Sequence, residues 1–188
     1  MPLSEAARER AERWRRYLDD FVPSPKHRHE TYALEACRLA LDAVEAGTYG
    51  VGAVLLDPDG RVLVAGHNRV HAESFRSDLH AEMVVMNEYE AFGWPRKQAR
   101  DHTLITSLES CPMCMTRLIV AGVGKILHVA EDPVGGMVQR KQHLPPIFRT
   151  IAAHQEQVWA PAECSVELRV AAFKIWIESR DNLNLQRR

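Results

Sequence analysis

From Val51 to Trp159, short apolar runs alternate with stretches of helical period, and this alternation restricts the fold more than any other feature. Val51 to Leu56 and Arg61 to Ala65 flank Asp57-Pro58-Asp59-Gly60, a four-residue turn with hairpin chemistry. Further strands are predicted over Thr103 to Leu108, Ile126 to Ala130 and Gln157 to Trp159. Helices are predicted between them. One runs from His80 to Tyr89 and ends at Gly93-Trp94-Pro95. The next starts at Pro112, since proline suits a first helical turn, reaches about Ala121 and stops at Gly122 and Gly124. Another opens at Pro145-Pro146 and reaches about His154. Strand-then-helix order makes the later strands parallel and covers both sheet faces. The stretch from Ala130 to Gln157 has room for a helical crossover, so the last two strands are expected to be parallel. The expected fold is α/β: a three-layer α/β/α domain around a mixed sheet of about five strands.

Helices flank this region. Ser4 is a candidate N-cap for the first, with Trp14, Tyr17, Leu18 and Phe21 as its apolar stripe and Pro23 and Pro25 as its stop. His27-Arg28-His29-Glu30 reads as a polar loop. A second helix is predicted from about Thr31, burying Ala33, Cys37, Ala40, Leu41 and Val44 and capped by Gly47. A closing helix is predicted from Val166 to Ile177, with Val170, Phe173, Trp176 and Ile177 on one face. The 188 residues suit one domain. Within 1–188, residues 1–29 form a helical extension, about 30–160 the core and 161–188 the C-terminal helix.

Composition narrows the function classes. Lys and Arg number 24 against 25 Asp and Glu, so no global basic excess exists to hold nucleic acid non-specifically. No run approaches the ~20 apolar residues of a membrane span, and the first residues lack a signal-peptide core. Arg8, Arg10, Arg13, Arg15 and Arg16 interleave with Glu5, Glu9 and Glu12, as on a solvated helix face. Arg180, Arg187 and Arg188 near the end are offset by Glu178 and Asp181. Of the cysteines Cys37, Cys111, Cys114 and Cys164, only two are close in sequence, which is no disulfide framework. Cys37 and Cys164 read as core, and a reducing cytoplasm is expected.

Two short motifs carry chemistry. His80-Ala81-Glu82 precedes a helix, and Ser110-Cys111-Pro112-Met113-Cys114 sits at a strand-to-helix turn. Thiols three apart at a helix N-terminus can face one point, where the helix dipole favours thiolates. With His80 at a neighbouring helix start, one imidazole and two thiolates select zinc and leave a fourth tetrahedral position open for water. Glu82, two residues after His80, is placed to act as general base and then general acid. This suits attack on an amidine-like carbon and loss of ammonia. A thioredoxin-like redox pair is the alternative reading of Cys-x-x-Cys alone, and His-Ala-Glu argues against it. A structural zinc site would want a fourth Cys or His nearby, and the spacing supplies none.

These motifs resemble the zinc-dependent cytidine/deoxycytidylate deaminase superfamily, whose signature is H-x-E followed by P-C-x-x-C. The resemblance extends to Val51-Gly52-Ala53-Val54, Gly66-His67-Asn68-Arg69 and Ala121-Gly122-Val123 and covers about residues 30–160. It is most similar to the branch of guanine deaminases and tRNA adenosine deaminases. The resemblance implies a cytidine deaminase-like fold, zinc on His80, Cys111 and Cys114, Glu82 as proton shuttle, and Asn68, Ala81 and Asp132 at the substrate. It also implies a homodimer. Ser110 stands where the family usually has proline, which bears on the approach to the turn. His67 and His71 read as surface residues. The expected activity is hydrolytic deamination of a free purine-type base, guanine-like, or a related aminated heterocycle. A tRNA adenosine deaminase, a cytosine/cytidine-type deaminase and a zinc-stabilised interaction protein are the alternatives.

Overall fold

The computed structural model describes residues 3–94 and 96–186. Pro95, Arg187 and Arg188, named above, lie outside them. Among the described residues one sheet contains β1 (Gly52–Leu56), β2 (Val62–His67), β3 (Thr103–Leu108), β4 (Lys125–Ala130) and β5 (Val158–Pro161). Their order is β2-β1-β3-β4-β5. β1 is antiparallel to β2 and β3, whereas β3, β4 and β5 run parallel. The helices are α1 (Glu5–Asp19), α2 (Glu30–Glu45), α3 (Ala81–Ala91), α4 (Pro112–Ala121), α5 (Pro146–His154) and α6 (Val166–Gln186). This is the expected α/β architecture with a mixed five-stranded sheet.

α2 and α6 pack on one face of the sheet, and α3 packs on the other beside α4. α2 lies close because its inner face is small: Ala33, Ala36, Cys37, Ala40 and Ala43 are fully buried. The approach is so tight that a Cβ on Gly52 would collide with the Ala36 carbonyl and Leu39. Burying Leu41, Leu168 and Ile175 between helices and sheet contributes about 1.5–3 kcal/mol each. α4 ends on Gly122, whose φ of 82° is the left-handed cap that glycine adopts without strain.

α1 lies on α2 and α6. Ser4 caps it, accepting the Ala7 N–H at 3.3 Å. Its buried face is Ala7, Ala11 and Leu18; of the expected stripe Leu18 is fully buried, Trp14 and Phe21 pack partly buried against the core, Phe21 from beyond the helix, and Tyr17 is exposed. Ala7 and Ala11 join that stripe because a close helix contact prefers small residues. Glu30 is likewise no loop residue. It is buried at the start of α2, where its carboxylate accepts the Ser165 N–H at 2.7 Å and ties α2 to the entrance of α6.

α6 departs furthest from expectation. It runs to Gln186, nine residues past Ile177, and buries Leu168, Ala171, Ala172 and Ile175. Val170 is exposed, and Phe173, Trp176 and Ile177 are only partly covered. Polar residues that looked like a helix end have partners. The Ser179 hydroxyl accepts the Gly50 N–H at 2.8 Å and donates to the Trp176 carbonyl at 2.7 Å. Glu178 accepts the Trp14 indole N–H at 3.2 Å.

Candidate active site

Two helix starts meet at the C-terminal ends of the strands. His80 is the residue before α3, and Cys111 the residue before α4. Both have extended backbone, and neither side chain caps its own helix. Their donor atoms are therefore turned outward to one another. His80 Nδ1 stands 3.6 Å from the Sγ of Cys111 and 3.6 Å from the Sγ of Cys114. Among the described residues these three form the cluster whose donor atoms all lie within 4.8 Å of one another. Tetrahedral zinc, with bonds of about 2.3 Å to sulfur and about 2.0–2.1 Å to imidazole nitrogen, places such a nitrogen and sulfur about 3.6 Å apart. The donor set and its spacing fit zinc.

The thiols are electrostatically unlike. The Cys114 thiol holds the Cys111 thiolate, with His80 assisting, and lowers the Cys111 pKa to about 4. The same contact and burial push Cys114 upward. Cys111 raises His80 in turn.

Glu82 is nearly fully buried in the first turn of α3. Burial raises its carboxylate above the ordinary range, and the Cys111 thiolate adds to the rise. Ser110, 1% exposed beside it, acts in the opposite sense. Ala81 is fully buried at the first position of α3, so its backbone is what it can offer a ligand. Asn68 Oδ1 accepts the Thr48 hydroxyl at 2.7 Å and the Val70 N–H at 3.0 Å, which leaves the amide N–H₂ for the cleft. Asp132 Oδ1 accepts the N–H groups of Val134 at 3.0 Å and Gly135 at 2.9 Å, a turn that leaves Oδ2 free.

His80, Glu82, Cys111, Asn68 and Asp132 line one cleft of about 370 Å³. Its other residues include Tyr49, Glu109, Trp176, Arg180 and Asn184, none of which sequence reasoning placed there. Glu109 organises the loop beyond β4. Its carboxylate accepts the N–H groups of Asp132 at 3.1 Å, Val138 at 2.7 Å and Gln139 at 3.2 Å. Its place between β3 and the Cys111 turn was the available signal. The sequence places Trp176 on one face of the closing helix, and that face borders the cleft. His71 is a rung in an aromatic stack, 5.5 Å from Tyr49 and 5.4 Å from Phe75.

The profile of the cytidine and deoxycytidylate deaminase zinc-binding region matches residues 26–130. The chain belongs to this family. The metal its His and Cys cluster is positioned to bind is zinc. Over 108 residues this deaminase-family chain is 39% identical to the tRNA-specific adenosine deaminase of Bacillus subtilis, covering 57% of this chain and 65% of that protein. Over 104 residues it is 32% identical to the guanine deaminase of the same organism, covering 55% and 65%. The match thus spans just under two thirds of each curated relative. A solved structure from work on A-to-I editing by tRNA:A34 deaminases superposes with a TM-score of 0.59 and 28% identity, covering 70% of this chain and 97% of that one. All the cluster residues, Glu82 and Asn68 fall inside the matched segment. Asp132 and the α6 wall fall outside it.

Proposed function

We propose that this chain is a zinc-dependent hydrolytic deaminase of a free purine-type base, guanine-like, with the whole of 1–188 acting as one deaminase domain. The observation that carries the reading is the wall formed by α6. Trp176, Arg180 and Asn184 share the cleft with His80, Glu82 and Cys111, leaving about 370 Å³, at the small end of ligand pockets. That volume suits one heterocycle. Nucleic-acid affinity rests on many Lys and Arg contacts to phosphates, whereas among the described residues lining this cleft Arg180 is the one Lys or Arg.

Zinc held by His80, Cys111 and Cys114 would supply the Lewis acidity that makes water a nucleophile near neutral pH. Glu82 moves the protons. Its carboxylate takes one from the attacking water and delivers it to the ring nitrogen beside the amino-bearing carbon. The water oxygen stays on that carbon as its bond to nitrogen breaks. Glu82 then takes the remaining proton from that oxygen, which becomes the oxo group, and hands it to the departing amine, which leaves as ammonia. Burial of Glu82 supports this role, because a raised carboxylate gives up and recovers a proton more readily near neutrality. The Asn68 amide, the Ala81 backbone N–H and Asp132 Oδ2 orient the ring.

Deamination of adenosine in tRNA is the second reading. The 39% identity to the B. subtilis enzyme favours it, as does the exposed Phe75 beside the cleft, at the end of the stack through His71 to Tyr49. The deciding experiment measures ammonia release from free bases beside inosine formation in tRNA. Turnover of guanine without inosine formation is expected. Inosine formation without free-base turnover reverses the ranking. The proposal includes a homodimer, supported by Met113, Val120 and Ile147, exposed on α4 and α5, and a cytoplasmic setting, supported by four unpaired cysteines.

A further inference from the structure

We propose that Arg180 on α6 selects the substrate by reading a paired acceptor edge, the oxo oxygen and neighbouring ring nitrogen of a 2-amino-6-oxopurine. The assignment rests on the free-base reading above and names the group by which the base is chosen.

Three observations carry it. Arg180 lines the cleft together with the zinc cluster. Its guanidinium lies over the Trp176 ring, 5.1 Å from the centroid, which fixes the plane of the fork. Finally, its hydrogen bonds use one edge only. Nε and Nη2 both donate to Asp181 Oδ1, at 3.1 Å and 2.8 Å. Among the described residues Nη1 has no such partner, so the end formed by Nη1 and Nη2 remains a two-pronged donor. Among the described residues its ion pair is with Asp181, and none joins it to the cleft carboxylates Glu82, Glu109 or Asp132.

The cleft then has a directional demand. A ring whose amino-bearing carbon sits against His80, Glu82 and Cys111 turns its remote edge toward the opposite wall. In a 2-amino-6-oxopurine that remote side carries O6 and N7, the acceptor pair an arginine fork matches. In a 6-aminopurine the reacting carbon is C6 itself, N7 lies beside it, and the remote side offers no such pair. Lysine presents a point charge and cannot replace the fork.

The test compares guanine with 2-aminopurine, which keeps the 2-amino group and lacks the 6-oxo group. Ammonia release gives kcat/KM for the zinc-loaded wild type, Arg180→Ala and Arg180→Lys. Calorimetry gives Kd for both bases in a Glu82→Gln background with and without Arg180→Ala. Zinc content and melting temperature of each variant report folding. For guanine, kcat/KM and affinity should fall about tenfold to a hundredfold in Arg180→Ala, the discrimination of a bidentate arginine contact. Arg180→Lys should recover little. Affinity for 2-aminopurine should change far less. Equal losses for both bases, or no loss for guanine in a wild type that converts it, overturn this assignment alone. A wild type that converts adenosine in tRNA and neither binds nor converts guanine overturns the free-base reading, and the assignment with it.

Discussion

One wall of the cleft comes from two helix N-termini, the other from the polar flank of a single long helix. On the first wall, His80 and Cys111 precede α3 and α4, and the donor atoms stand within 4.8 Å of one another. On the second, Trp176, Arg180 and Asn184 recur every four residues along α6, so each turn offers one side chain to the cleft. The first wall lies inside the segment shared with the deaminase family, and the second lies beyond it. The contrast separates two tasks. Chemistry requires donors converging on one point, which helix termini supply with outward dipoles and uncapped side chains. In the proposed reading, choosing a ring requires a surface, and one helix face beyond the family segment supplies it.

Substitutions on the two walls should therefore fail differently. The largest effect is expected from Cys114→Ser or His80→Ala, which remove a ligand. Elemental analysis should show zinc falling from about one per chain toward none, the single-site load expected here, with turnover lost. A variant that keeps both zinc and activity breaks the first-wall assignment. Glu82→Gln comes next. It retains the metal and the fold but cannot carry the proton, so kcat should drop by about 10²–10⁴. Unchanged turnover would leave Glu82 only the favourable place of an acid in the first turn of α3.

On the second wall, Trp176→Ala should chiefly raise KM, by about tenfold to a hundredfold, as loss of one base-stacking contact does. Zinc content should stay intact and Trp176→Phe should recover much of the loss. A fall in kcat at constant KM would place Trp176 with the chemistry instead.

The smallest effect involves neither wall. Burial holds His128, His102 and His29 below the ordinary imidazole value. The unfolded chain then takes up protons at higher pH than the folded one. Stability from this source is complete above about pH 6.5 and declines as the pH falls below it. His128, 1% exposed with neither ring nitrogen hydrogen-bonded, should dominate. Melting temperature should drop below pH 6.5, and His128→Gln should flatten the slope. About 2–4 °C is the response to each ~1 kcal/mol in a chain this long. A slope unaffected by that substitution assigns the effect elsewhere.

The two walls were unequally legible in the sequence. His80, Glu82, Cys111 and Cys114 sit in short motifs whose spacing states their chemistry, and β3 and α4 begin where Thr103 and Pro112 predicted. The opening hairpin and the parallel run of the later strands followed from local alternation. The second wall depends on contacts far apart in the chain. Glu30 meets Ser165 and Gly50 meets Ser179, and no local period announces either pairing. For that reason the predicted closing helix stops at Ile177, and Trp176 is placed only on one of its faces, with nothing in the local pattern to put it in a cleft. Asn68 and Asp132 were visible as residues, but their hydrogen bonds to Thr48, Val70, Val134 and Gly135 emerged only in three dimensions.

The position of α6 also sets an order of manufacture. A ribosome releases the chain from its N-terminus, so the last zinc-cluster residue, Cys114, leaves about 70 residues before Asn184. At roughly 5–20 residues per second the interval is on the order of several seconds. Over that interval the thiols and imidazole exist without the helix that walls the cleft, and the sheet face under Leu168 and Ile175 is still bare. The cleft is thus finished from its zinc-binding end outward, and the α6 wall is the last part of it to be made.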